Sequence, residues 1–203
     1  MATDDDNALE SARSALNAAG GPFAVHSADA LTGIDDFAEW LASASAAVKA
    51  GDFVIPAMGD SAPDTLFLDL NEFAYNPDEW FLSALAYAWE SRDPDDIEVS
   101  EFFDATVGHE VGDVRSGHFT LTGLESMQEC FAEHLETADE SEVALAEEFV
   151  ITTVFDGVDR ALSLAGDLGL RIALSRSEEP RIALWQFGES GWSREVLVED
   201  EDF

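Results

Sequence analysis

Acidic side chains outnumber basic ones by 44 to 9 in this chain of 203 residues, and they are spread along its whole length. The formal net charge is -35. At low ionic strength such a charge opposes any compact fold, whereas at molar salt the Debye length falls to about 3 Å and most of the repulsion vanishes. We therefore expect the chain to fold in a salt-rich medium, with salt cations bound at its surface.

The basic residues follow the same tendency. Lys49 is the only lysine, and the other eight basic residues are arginines. Arginine pairs with carboxylates through a planar fork, whereas the longer apolar stem of lysine is missing from nearly the whole surface. In composition the chain resembles cytosolic proteins of salt-in halophilic archaea. This resemblance implies a cytoplasmic location and carries no functional motif.

The content of apolar residues predicts a folded protein. Hydrophobic residues make up 46% of the chain and aromatic residues 10%, which is more than disordered acidic segments carry. The single cysteine, Cys130, excludes an intramolecular disulfide framework and fits a reducing compartment. The amino terminus has no signal-peptide pattern, and no apolar run reaches the about 20 residues that cross a bilayer. We therefore expect no membrane insertion.

Helical spacing of apolar residues recurs in several segments. In the longest of these segments the secondary structure is ambiguous at residues 149–155. The β-branched side chains there fit a strand, but the 3.6-residue period continues through them and favours a helix. Another helix, placed at the centre of the core, is predicted to follow the cap-like pair Asn76-Pro77. The predicted helices span residues 4–19, 33–50, 77–89, 124–137 and 141–168.

Short alternating runs predict strands. Residues 53–56 and 66–70 are expected to form a hairpin, with Pro56 ending the first strand or placing it at a sheet edge. Two or three strands are expected within 97–121. Turn residues separate three further strands, which predict a C-terminal antiparallel meander over residues 170–174, 182–187 and 192–198.

Together these elements predict an α+β fold, with antiparallel strands packed against several helices. The length favours one domain over residues 1–203, with residues 1–22 as a loosely attached N-terminal helix.

One cluster of residues suits metal or thiol chemistry. His109, His118, Cys130 and His134 fall within 26 residues, and the last two are four positions apart on a predicted helix. Such a set fits a tetrahedral zinc site, or a thiol nucleophile activated by His134. The alternative is that the cysteine is a small core residue and the histidines lie on the surface. Zinc is the one cofactor that this cluster suggests, and otherwise none is expected.

The C-terminal meander carries half of the arginines together with two tryptophans. Tryptophan and arginine are the residues most enriched in binding hot spots. Alternation predicts a positive strip on one sheet face, and the alternative is that the arginines pair with nearby glutamates over a tryptophan core. The predicted protein interface consists of Arg171, Arg181, Trp185, Trp192 and Arg194.

No phosphate loop, dinucleotide fingerprint, zincin helix or nucleophile elbow occurs in the sequence, which argues weakly against an enzyme. Basic residues form no cluster, so direct binding to nucleic acid is disfavoured. The first hypothesis is therefore a protein-interaction or regulatory module that binds an unidentified protein or itself. The alternatives are a metal-binding or thiol-dependent enzyme that uses the histidine and cysteine cluster, and an acidic mimic of nucleic acid.

Overall fold

The computed structural model describes residues 4–56, 62–71, 79–89, 108–176 and 181–198. Five helices and eight strands lie within them, and the predicted α+β class is confirmed. The helices are α1 (Asp4–Ala19), α2 (Gly21–Ala24), α3 (Ile34–Ala50), α4 (Glu125–His134) and α5 (Glu140–Ala165). The strands are β1 (Phe53–Pro56), β2 (Thr65–Leu70), β3 (Phe81–Trp89), β4 (Gly108–Val114), β5 (Phe119–Thr120), β6 (Arg171–Arg176), β7 (Arg181–Gly188) and β8 (Gly191–Val198).

The strands form one mixed sheet in the order β1-β4-β3-β2-β6-β7-β8, with β5 paired to β3 beside this order. Strands β2 and β6 run parallel, and the other neighbours along the order are antiparallel. The consecutive antiparallel strands β6, β7 and β8 confirm the predicted C-terminal meander. No helix among the described residues is long and apolar enough to span a membrane.

The chain separates into two compact units. The helical unit comprises Met1–Ile34, Glu72–Trp80 and Thr120–Arg160, and the sheet unit comprises Asp35–Asn71, Phe81–Phe119 and Ala161–Phe203. The expectation of a single domain with a loosely attached first helix stays a prediction.

The helical unit packs around aromatic rings. Phe23 on α2 and Phe131 on α4 are buried, and their ring centroids lie 4.9 Å apart. Trp80 meets the same Phe131 ring edge-on, with centroids 5.5 Å apart. Helix α1 contributes the fully buried Leu16, and Arg13 on its polar side donates a 2.8 Å hydrogen bond from Nε to the carbonyl of Ser27. Burial of these rings stabilises the unit.

The β-branched run in α5 is helical, as the 3.6-residue period predicted. Thr152 and Thr153 donate hydrogen bonds from their hydroxyls to the carbonyls of Glu148 and Phe149, each at 2.7 Å. These bonds satisfy both buried hydroxyls one turn back along the helix, so their polar groups cost little inside the core.

The sheet unit buries the central strand β2. Leu66, Leu68 and Leu70 are fully buried and lie opposite Ala86, Ala84 and Leu82 of β3. On the other side β2 pairs with β6, where Ile172 and Leu174 are also buried. Strands with neighbours on both sides and apolar side chains of this kind form the interior of a sheet.

The predicted helix over 77–89 is wrong, because Phe81–Trp89 is strand β3. Residues 77 and 78 lie outside the described residues. Leu82, Ala84, Ala86 and Ala88 are buried, and the residues between them are half-buried. An apolar run with an alanine at every second position fits both the helical and the strand period. Pairing with β2 on one side and β4 on the other therefore decides its structure.

The predicted hairpin of 53–56 with 66–70 is also wrong. Strand β1 pairs with β4, and β2 pairs with β3 and β6. In its central position the apolar β2 can form backbone hydrogen bonds on both of its sides. The four-residue β1 ends at Pro56, which lacks a backbone N–H donor. Strand β1 lies at the end of the sheet order, so the edge position expected from Pro56 is confirmed. Of the strands expected within 97–121, β4 and β5 are present, and residues 97–107 lie outside the described residues.

Candidate functional site

The histidine and cysteine cluster is spread over several elements. Cys130 and His134 lie one turn apart on α4, as predicted, and no hydrogen bond joins their two side chains in the described structure. Cys130 is 6% exposed, and His134 Nε2 lies 3.8 Å from Glu133 Oε2. His118 lies in the sheet unit, with its ring centroid 4.8 Å from that of Phe81. His109 lies on β4, and its side chain is outside the described part.

Within the described side chains, no group of three or more His, Cys, Asp and Glu residues is placed to hold a metal ion. The four-residue zinc site therefore stays a prediction.

The thiol of Cys130 lies in an unfavourable setting for a nucleophile. Burial, followed by the nearby Glu133 carboxylate, raises the pKa of Cys130 above its ordinary value. A raised pKa reduces the thiolate fraction at neutral pH, and the thiolate is the form that attacks electrophiles.

We expect Cys130 to be alkylated about a hundredfold more slowly in the folded protein than in the unfolded chain, because the thiol is both buried and protonated. The measurement is mass-spectrometric timing of iodoacetamide addition at neutral pH in molar KCl, with and without denaturant. Cys130 is the only cysteine, so the added mass has one origin. Equal rates in the two states would contradict this expectation and favour a reactive thiol.

The register of the meander divides the predicted arginine and tryptophan strip between two faces. Trp185 on β7 lies opposite Ile172 on β6 and opposite Arg194 on β8. Because side chains alternate along a strand, Arg171 lies on the other face from Trp185 and Arg194. Arg181 is placed by its backbone opposite Val198, and its side chain is outside the described part.

The two tryptophans of the meander differ in environment. Trp185 is fully buried, and the guanidinium carbon of Arg194 lies 5.9 Å from its ring centroid. Trp192 is half-buried and donates a 3.0 Å hydrogen bond from Nε1 to the carbonyl of Gly166. Trp185 therefore belongs to the core, and Trp192 forms part of the protein surface.

Two exposed apolar residues complete this surface. Phe187 is 43% exposed and lies opposite Trp192, with the two ring centroids 5.3 Å apart. Val196 is 40% exposed and shares a face with Trp192 and Arg194 by alternation. We call the set Phe187, Trp192, Arg194 and Val196 the β8 strip. Phe187 and Val196 are not among the predicted interface residues, although alternation extended by two residues from Trp185 and from Arg194 reaches them.

The β8 strip lies at a sheet edge. Strand β8 is the last in the sheet order, so its outer side has no strand partner within the described residues. An edge strand presents a row of backbone donors and acceptors that can pair with another extended chain. The strip thus combines exposed apolar side chains, one arginine and backbone groups suited to strand pairing.

No family model matches the chain, and comparison with curated proteins and with solved structures finds no match either.

Proposed function

We propose that the protein is an interaction module of a salt-rich cytoplasm, and that it binds an extended segment of a partner protein along β8. The observation that carries the proposal is the β8 strip, whose Phe187 and Val196 are exposed, beside the last strand of the sheet. Addition of a strand to a sheet edge uses main-chain hydrogen bonds for affinity and alternate side chains for specificity.

The composition of the β8 strip suits binding in molar salt. Attraction between distant charges is screened there, whereas burial of apolar surface remains favourable. Phe187 and Val196 supply apolar surface, and Trp192 is held in place by its bond to Gly166. Arg194 carries the single charge of the strip. We therefore expect the partner segment to have apolar residues at alternate positions.

The double variant Phe187→Ser/Val196→Ser tests this proposal. We expect it to bind the partner at least about tenfold more weakly, because two exposed apolar contacts are lost. The measurement is quantitative mass spectrometry of the proteins that co-purify with the tagged chain from a halophilic host in molar KCl. An unchanged thermal midpoint would show that the double variant is folded.

Val25→Ser is the matched control, because Val25 is 76% exposed and lies in the helical unit. The control should retain every partner that the parent protein binds. Co-purification of the same proteins in the same amounts with the double variant would overturn the proposal. A second copy of this chain, in place of another protein, as the molecule lost from the double variant would also overturn it and assign β8 to self-association.

A further inference from the structure

We draw no further inference here: the strongest candidate, the open depression of about 290 Å³ beside Phe187 in the sheet unit, has polar side chains that are exposed or half-buried, and none of the buried polar groups that the structure describes lies in its wall.

Discussion

On transfer from about 3 M to about 0.05 M KCl the protein is expected to lose its folded structure, because the Debye length then rises from a few ångströms to more than 10 Å. The net charge of -35 then acts between residues across the whole molecule. Near-ultraviolet circular dichroism and tryptophan emission during dialysis measure the transition. The osmolality at which half of the protein is folded should be lower in KCl than in sucrose. Both solutes favour the compact state, but sucrose acts only by exclusion from the surface and screens no charge.

A charge-reduced variant separates screening from other effects of salt. Five acids that the structure places in exposed positions are suited to neutralisation: Asp35→Asn, Asp36→Asn, Glu39→Gln, Glu129→Gln and Glu133→Gln. We expect this variant to stay folded at lower KCl than the parent protein. A native spectrum and an unchanged thermal midpoint at low salt in the parent protein would contradict the proposal of a salt-adapted protein.

Trp185→Ala is expected to cost about 3–5 kcal/mol of unfolding free energy, the range for removing a large buried aromatic side chain. Trp185 is fully buried and lies between Ile172 and Arg194 in the register of the meander. Its loss would leave a cavity in the sheet unit and would remove the ring beneath the Arg194 guanidinium. Urea unfolding followed by circular dichroism at fixed molar KCl measures the change.

Trp192→Ala is the matched control, because Trp192 is half-buried on the neighbouring strand. We expect it to cost only about 1–2 kcal/mol, for one hydrogen bond and part of a ring. Equal costs for the two variants would contradict the assignment of Trp185 to the core and of Trp192 to the surface.

The helices and the meander were predictable because their signals are local. In α5 the 3.6-residue period runs through the β-branched residues, and the hydroxyls of Thr152 and Thr153 are satisfied by carbonyls of the preceding turn. In the meander, turn residues separate strands that pair with their immediate neighbours in sequence. The helices make their backbone hydrogen bonds within one segment, and β7 and β8 pair with each other, whereas β6 pairs with β7 and also with the distant β2.

Local patterns predicted β2 as a strand, but they predicted neither its pairing nor the strand conformation of β3. Strand β3 reads equally well as a helix, since Ala84, Ala86 and Ala88 favour helices while their burial alternates as in a strand. Strand β2 pairs in parallel with β6, about a hundred residues further along the chain. A window of neighbouring residues contains no signal for the strand conformation of β3 or for the parallel pairing of β2 with β6. Tertiary context therefore determines both.

The candidate binding site was also predictable from local sequence patterns only in part. Residue type and alternation place Trp192 and Arg194 on one face of the sheet, and the structure adds Phe187 and Val196 through their exposure.

The most direct measurement of the role of β8 is site-specific photo-cross-linking in a halophilic host grown in molar salt. A benzophenone amino acid replaces Val196 in one variant and Val25 in the other, both at exposed positions. We predict a covalent adduct with a partner protein from position 196 and none from position 25, and we predict that the adduct maps to an extended segment of that partner. No adduct from position 196, or the same adduct from both positions, would contradict an interaction module that binds through its edge strand.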